Sequence, residues 1–412
     1  MLSTLDFGVE IELLVSPHPN AQPAFTKTLA ANGWNSRVEG QIRPGLSTDV
    51  MELQRLQGRN RKAIRAAVAA ALSARGIATH ETSGRAQDFR FWTVVDEVSV
   101  GELPGYWRLE LVSRVLSADE NWQEELGRLF ATLKESCKIR VTNDCSMHIH
   151  VSPGPGLPTF DDSQIRAICK AICYFDDAIT RVMPADRKET TWAKSNVLPE
   201  HPVKHDTDWA KRGQSVNPKI KRYYSQVSTQ GFGPLWKLFD NITWRGAHAC
   251  MSYTDGDRAR YLSWNFENLV KQCGTLEFRR PPAVDSAEKA GHWIAFTLGF
   301  ISRAVSADWV AVESKKRGGE VADLRAHVVQ GLRTFPSNCS DAFILGKAVE
   351  DTSKPIRLSA EELLRMENLK KHKAKTASPF AEKASSRPST PTGSASNSPA
   401  VGRSNFGGWG RR

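Results

Sequence analysis

The chain has 412 residues, of which 40% are apolar and 25% are charged, and this balance is typical of a globular protein with one large domain or two ordinary ones. No apolar run approaches the ~20 residues that a membrane helix needs, and the acidic start MLSTLDFGVEIELLV does not predict a signal peptide. The net charge is +11, but residues 355–412 hold eleven basic and four acidic side chains, which leaves +4 for the first 354 residues and argues against a nucleic-acid-binding body.

Strand and helix patterns alternate along the body, which predicts an α+β fold. Strands are predicted over 6–15, 90–100, 106–116 and 147–153, with two short strands inside 261–282. Helices are predicted over 59–76, 118–137, 161–183 and 286–306. Residues 185–240 show no clear periodicity, and we interpret them as a basic insertion that carries aromatic residues.

The end of the chain differs in composition from the main domain that we predict over 1–354. Residues 355–375 contain a predicted helix over 359–375, with Ser359 as its cap and Glu362 three residues later. Residues 376–412 are rich in Ser, Pro, Gly and Thr and are predicted to be a disordered, low-complexity tail. The seven cysteines form no CxxC pair, and their odd number in a large chain favours reduced thiols and a cytoplasmic or nuclear location.

Ionisable residues occur in pairs two positions apart in three predicted strands, and residues at this spacing share one face of a strand. The pairs are Glu10 with Glu12, His148 with His150, and Glu277 with Arg279. The alternate positions are apolar, and Glu110 and Asp96 extend the pattern in two other strands. One interpretation is an antiparallel sheet with one face in water. The other is a cation site, because these side-chain types bind metals and phosphate.

Converging carboxylates would repel by about 3 kcal/mol per pair at ~5 Å and an effective dielectric constant near 20, so such a cluster requires cations. Carboxylates with an occasional imidazole favour Mg²⁺ or Mn²⁺. Cys145, His148 and His150 could begin a zinc site, but no fourth ligand follows at a recognised spacing. The sequence has no GxxxxGK[ST], GxGxxG after a strand, HExxH or GxSxG motif, so ATP would be bound through metals and arginines.

Several motifs in a fixed order point to a family. They are FGVEIE, WTVVDEVSV, LELVSRVL, CSMHIHVSP, MPADR with a later SN, and LSWNFENLVKQCGTLEFRR. This set, spanning about residues 5 to 305, resembles the amidoligase family, whose members are carboxylate–amine ligases with a catalytic core shared with glutamine synthetase. The resemblance implies a curved antiparallel half-barrel sheet backed by helices, with an ATP site on its concave face.

The resemblance also implies roles for individual residues. The implied metal ligands are Glu10, Glu12, Glu110, His148 and Glu277. The implied ATP-binding residues are His150, Arg279 and Asn265; the implied catalytic residues are Arg279, Glu277 and Asp96; and Arg187 is implied to contact substrate. The sequence departs from the family pattern at Ser146, where glycine is usual, and at RPPAVD after the EFR motif.

The implied reaction is the ATP- and metal-dependent joining of a carboxylate to an amine through an acyl phosphate. The sequence does not identify the two substrates, which could be peptides or metabolites, or the oligomeric state. Three alternatives stay open: a catalytically inactive homologue that binds a nucleotide or a peptide, a metal-dependent hydrolase, and a nucleic-acid binder that uses the basic tail. We expect no membrane partner.

Overall fold

The computed structural model describes residues 4–38, 50–86, 88–97, 99–101, 103–155, 157, 159–188, 190, 193–197, 218–252, 261–270 and 273–343. The chain divides into two units, residues 1–357 and 358–412, and all the described residues lie in the first. The helix predicted over 359–375 and the disordered segment predicted over 376–412 lie outside the described residues.

Strands and helices alternate through the described chain. The strands are β1 (Leu5–Pro17), β2 (Thr79–Glu81), β3 (Trp92–Asp96), β4 (Trp107–Val112), β5 (Leu116–Ser117), β6 (Cys137–Arg140), β7 (Met147–Pro153), β8 (Trp264–Asn265) and β9 (Leu276–Phe278). The helices are α1 (Pro23–Ala31), α2 (Val50–Ala74), α3 (Trp122–Ser136), α4 (Asp162–Val182), α5 (Ala185–Lys188), α6 (Pro218–Ser225), α7 (Val227–Gln230), α8 (Gly233–Asp240), α9 (Trp244–Met251), α10 (Ala287–Ser306), α11 (Val321–Leu332) and α12 (Ser337–Asp341). Two 3-10 turns cover Glu267–Leu269 and Val310–Val312.

The described strands form one nine-stranded sheet with the order β2-β3-β4-β1-β7-β9-β8. Every pairing is antiparallel except the parallel pairing of β2 with β3. Within the described residues the sheet is not closed into a barrel, because the path ends at β2 and β8. The mostly antiparallel α+β architecture is therefore confirmed, while the half-barrel and the glutamine-synthetase-like core stay predictions.

The 13-residue strand β1 lies at the centre of the sheet and pairs with four strands. On one edge it pairs with β4 and, near its start, with β5; on the other edge it pairs with β7 and, near its end, with β6. Its odd-numbered residues from Leu5 to Val15 are in the apolar core. Glu10 and Glu12 alternate with them and therefore lie on the opposite face.

Helices cover the apolar face of the sheet. Helix α2 contacts β3 and β4, α3 contacts β6, and α10 contacts β7. Helix α10 is buried almost all round, because α3, α4 and α11 also pack against it. Among the described residues, no helix is both long and apolar enough to cross a lipid bilayer.

Stacked aromatic rings fix the short strands β8 and β9 to α10. The ring of Trp264 stacks on Phe278 at a centroid distance of 4.4 Å and on Phe300 at 5.0 Å. Phe278 also stacks on Phe296 at 5.7 Å. Such pairs add about 0.5–1.5 kcal/mol each beyond the burial of their area. Because these rings lie on the helix side, Asn265 and Glu277 are held on the other side of the sheet.

The predicted elements of the body are confirmed in type, with shifted ends. Helix α2 begins at Val50 rather than at residue 59, and it stops before Gly76, whose φ of 79° ends the helix. The segment 185–240, interpreted as a basic insertion, contains α5, α6, α7 and α8 where the structure describes it, and its being an insertion stays a prediction. Helices of four to eight residues are too short to show a clear 3.6-residue period.

Candidate active site

Most of the predicted site residues lie together on the sheet face opposite the helices. Residues directly opposite each other on neighbouring strands share a face. The register pairs Glu10 with His148, Glu12 with Glu110, and Glu277 with both His150 and Asn265. Arg279 follows two residues after Glu277, and its backbone N–H donates to the carbonyl of Ser263 at 2.9 Å. Five strands therefore contribute to one polar cluster.

Both imidazoles of β7 point at the same two carboxylates. The Nδ1 atom of His148 lies 2.9 Å from Oε2 of Glu10 and 3.6 Å from Oε1 of Glu277. The Nε2 atom of His150 lies 3.2 Å from Oε1 of Glu10 and 3.8 Å from Oε1 of Glu277. The i, i+2 spacing thus serves to bring two imidazoles to one acidic pair.

The carboxylate of Glu277 is buried and bonded at both oxygens. Arg279 forms an ion pair with Oε1. Asn265 and Asn268 donate to Oε2 at 2.6 Å and 3.1 Å. Burial would raise the pKa of Glu277, but the charges of Arg279 and His150 outweigh it, and the pKa is lowered. Glu277 is therefore a fixed anion that also orients the guanidinium of Arg279.

Glu12 is held from the start of β7 by Ser146. The backbone N–H of Ser146 donates to Oε2 of Glu12 at 2.7 Å, and the Ser146 hydroxyl lies 2.8 Å from the same oxygen. The hydroxyl also lies 2.9 Å from Nε2 of His148. One serine therefore connects a predicted acidic ligand to a predicted imidazole ligand.

The cluster holds more negative charge than its own cations balance. Burial, and next the charges of Glu10, Glu97 and Glu12, raise the pKa of Glu110 well above its usual range, and Arg279 offsets this only in part. Burial also favours protonation of Glu10, yet His150 and His148 hold the pKa of Glu10 well below its usual value. This electrostatic imbalance is what a bound cation would relieve.

The imidazole of His150 supplies part of the positive charge. Burial lowers its pKa, but Glu277 and Glu10 raise it by more, so that the net shift is upward. Its Nδ1 atom lies 3.2 Å from the hydroxyl of Thr275 and 3.5 Å from the amide nitrogen of Asn268. Both ring nitrogens are thus engaged, and the orientation of His150 is fixed.

Two sets of three side chains in this cluster could each hold a metal ion. One set is Glu10, His148 and Glu277, and the other is Glu12, Glu110 and His148. Within each set the ligand atoms lie within 4.8 Å of one another. Carboxylate oxygens with a single imidazole suit Mg²⁺ or Mn²⁺ better than Zn²⁺. The residues present therefore fit the divalent cation that the sequence predicted.

The zinc alternative would use the thiol of Cys145, which lies in an apolar cluster. Cys145 is fully buried in a small apolar cluster with Leu14 and Val100. Burial raises the pKa of the Cys145 thiol to about 11. Cys145 belongs to neither of the two potential ligand sets among the described residues.

Asp96 does not lie with the other predicted catalytic residues. It is opposite Leu109, on the apolar face of the sheet, and Val95 occupies the position opposite Glu110. The Asp96 carboxylate forms ion pairs with Arg65 and, at 3.7 Å, with Arg61 of α2. The Asp96 side chain therefore connects β3 to α2, and the catalytic role implied for it stays a prediction.

Arg187 is bonded to the backbone at Arg279 and Arg280. Its side chain is buried, and burial lowers its pKa to about 10. Its Nε donates to the carbonyl of Arg280 at 3.1 Å, and its Nη2 donates to the carbonyl of Arg279 at 2.7 Å. These hydrogen bonds hold the backbone that carries Arg279, and the substrate contact implied for Arg187 stays a prediction.

The sequence reasoning assigned no role in the site to Ser146, Asn268 or Thr275. The sequence does mark Ser146 as unusual, because it lies two residues before His148, at a position where the family pattern has glycine. Asn268 and Thr275 had none, because they follow and precede strands of only two and three residues. Strands this short show no alternation that would assign their neighbours to a face.

A family model described as "Putative amidoligase enzyme" matches residues 3–301. The matched segment contains every residue of the polar cluster. No curated protein and no solved structure gave a match to this chain.

Proposed function

The chain belongs to the amidoligase family, and we propose that it is an ATP- and divalent-metal-dependent ligase that joins a carboxylate to an amine. The observation that supports the proposal is the convergence of four glutamates, two histidines and Arg279 on one sheet face. Side chains from β1, β4, β7 and β9 are separated by up to 269 positions, between Glu10 and Arg279. A solvent-exposed sheet face would not bury Glu12, His148 and Glu277 as this one does.

Glu10, Glu12, Glu110, His148 and Glu277 are the residues that would hold the metal ions. A bound divalent cation would neutralise phosphate charge and orient phosphate oxygens. Neighbouring side chains hold these ligands in place, since Ser146 orients Glu12 and His148, and the two asparagines of the β8–β9 region orient Glu277.

In the proposed reaction Arg279 would stabilise negative charge on a transferred phosphoryl group. Its ion pair with Glu277 and the support of its backbone carbonyl by Arg187 fix it before any ligand arrives. Preorganised cations of this kind cost no reorganisation when charge develops in the transition state. His150, with Nε2 on the same edge of the cluster, would act as a second donor on the nucleotide side.

The proposed reaction has two steps that balance. A carboxylate oxygen of the first substrate bonds to the γ-phosphorus of ATP, ADP leaves, and an acyl phosphate forms. The amine nitrogen of the second substrate then bonds to the acyl carbon, phosphate leaves, and the nitrogen loses a proton. Positioning and charge stabilisation dominate such phosphoryl transfers.

Amine-dependent release of ADP tests the proposal directly. Pooled carboxylates and amines with Mg-ATP would be screened by ADP detection, after a thermal-shift screen for stabilisation by Mg-ATP. Glu12→Ala and Arg279→Lys should each lower the rate by about 100-fold or more, as loss of a transition-state charge contact does. Glu124→Ala, on the exposed surface of α3, is the matched control and should keep full activity.

The outcomes separate the rival functions. Mg-ATP binding without amine-stimulated ADP release would favour a nucleotide-binding homologue. Cleavage of an amide or phosphate ester without ATP would favour a hydrolase. Undiminished ligation by either site variant would show that the polar cluster is not the active site.

A further inference from the structure

Ser146 occupies a position between two of the predicted metal ligands. Its side chain is buried at the start of β7, 6% exposed, and its hydroxyl touches both Oε2 of Glu12 and Nε2 of His148. A single hydroxyl has one hydrogen to donate. If the hydroxyl donates this hydrogen to Glu12, it can only accept from His148, and this favours the tautomer with a hydrogen on Nε2.

Each ring nitrogen of His148 has an oxygen within hydrogen-bond distance: Nδ1 lies 2.9 Å from Oε2 of Glu10, and Nε2 lies 2.9 Å from the Ser146 hydroxyl. A carboxylate oxygen can only accept, so the Ser146 hydroxyl donates to Glu12. The hydroxyl oxygen can then only accept from His148, which requires a hydrogen on Nε2. A cation bound with Glu10 and Glu277 would take the lone pair of Nδ1, the atom that lies 2.9 Å from Glu10 and 3.6 Å from Glu277, and the hydrogen of the neutral imidazole would then be on Nε2, where the Ser146 hydroxyl accepts it.

We infer that Ser146 is a positioning residue that sets the tautomer of His148 and thereby directs its Nδ1 lone pair to the cation site with Glu10 and Glu277. His148 occurs in both potential ligand sets, but it can serve only one through Nδ1. The set of Glu12 and Glu110 is then left with carboxylates alone. This inference rests on the metal-binding part of the proposed function and is independent of the ligation step.

Two substitutions at position 146 separate the hydroxyl from the rest of the side chain. Ser146→Ala removes the acceptor for Nε2 of His148, whereas Ser146→Thr keeps a hydroxyl. Loss of a hydrogen bond that orients a metal ligand typically weakens metal binding by 10–100-fold. Mn²⁺ titration followed by electron paramagnetic resonance should therefore show at least about 10-fold weaker binding in Ser146→Ala, and the affinity should return in Ser146→Thr.

Nitrogen-15 NMR of the Mg²⁺-loaded wild-type protein reads the tautomer without any variant at position 146. The resonance of His148, assigned by its loss in His148→Gln, should show the hydrogen on Nε2. A hydrogen on Nδ1 would overturn the inference, even if Ser146→Ala fails to fold.

The two proposals fail in different ways. Equal Mn²⁺ affinity in wild type and Ser146→Ala would overturn the role of Ser146 and leave the ligase proposal standing. A wild-type protein that binds neither Mn²⁺ nor Mg²⁺ would contradict the metal dependence of the proposed function, and the inference would fall with it.

Discussion

Arg187 is the residue whose loss should affect the site without touching a ligand. Its guanidinium satisfies the backbone carbonyls of Arg279 and Arg280. Arg187→Met would leave these carbonyls without their donors, and each unsatisfied buried polar group costs about 1–3 kcal/mol. We expect the free energy of unfolding to fall by about 2 kcal/mol or more, measured by urea denaturation.

An exposed arginine provides the control for this measurement. Arg128 lies on the surface of α3, where its side chain pairs with Glu124 at 3.0 Å. Arg128→Met should change the free energy of unfolding by no more than about 0.5 kcal/mol. Unchanged stability of Arg187→Met together with weaker substrate binding would instead support the substrate contact that the sequence predicted.

The residues of the site were predictable where a strand alternates cleanly and not elsewhere. Glu10 and His148 sit in strands whose other face is apolar, so their side could be assigned from the sequence. Strand β3 has the sequence WTVVD, with apolar residues at both odd and even positions. The sequence of this strand therefore does not assign Asp96 to a face of the sheet. The register with β4 supplies that information, because it places Val95 opposite Glu110.

At the scale of elements, helices α10 and α11 approach each other through glycine. A Cβ atom on Gly331 would lie 1.9 Å from the carbonyl oxygen of Gly299, far inside a van der Waals contact. Gly331→Ala must therefore push the helices apart, and overpacking of this kind costs about 1–3 kcal/mol. We expect the variant to be less stable than wild type by this amount in urea denaturation, although alanine has the higher helix propensity.

Gly127 gives the opposite expectation in an open position. It lies inside α3, and a Cβ atom there would meet nothing within 4 Å. Gly127→Ala should stabilise the protein by about 0.5–1 kcal/mol, because alanine has a higher helix propensity than glycine and its Cβ atom would meet no neighbour. If Gly331→Ala stabilised the protein as Gly127→Ala does, that result would contradict the close approach of α10 and α11 at Gly331.

Long elements could be located from the sequence, while short ones depended on tertiary context. The periodic patterns of β1, α4 and α10 extend over 13, 21 and 20 residues, and each was predicted within two residues of its observed ends. Strands β5 and β8 have two residues each, and they exist because β1 and β9 offer unpaired backbone groups beside them. No local pattern encodes such pairing.

At the scale of the whole molecule, the site depends on contacts between distant parts of the chain. Glu10 and His148 come from β1 and β7, while Glu277 and Arg279 come from the last strand, β9, or follow it. The strand pattern indicated which residues share a face of one strand, but not that these strands are neighbours. The resemblance to the family supplied the expectation that these residues share one site. The sheet order β4-β1-β7-β9 makes the strands that carry them neighbours.

Two buried histidines far from the polar cluster should make the stability of the fold depend on pH. Burial lowers the pKa of His327 and of His292 to about 4. The Nε2–H of His327 donates to the carbonyl of Phe300 at 3.1 Å, and Arg303 adds a like charge that opposes protonation. Both imidazoles are therefore neutral in the folded protein at pH 5, whereas in the unfolded chain they are mostly protonated.

The sign of the effect follows from proton binding. Between about pH 6.5 and pH 4 the unfolded state binds more protons than the folded state, so the free energy of unfolding falls as the pH is lowered through this range. Each histidine with a folded pKa of about 4 should cost about 2 kcal/mol at pH 5 relative to pH 8. His327→Gln removes one titrating group and keeps an N–H donor for the Phe300 carbonyl, so its loss of stability between pH 8 and pH 5 should be smaller than that of wild type by about 2 kcal/mol. Urea denaturation at both pH values measures this difference, and identical losses in the two proteins would mean that His327 is not buried in its neutral form.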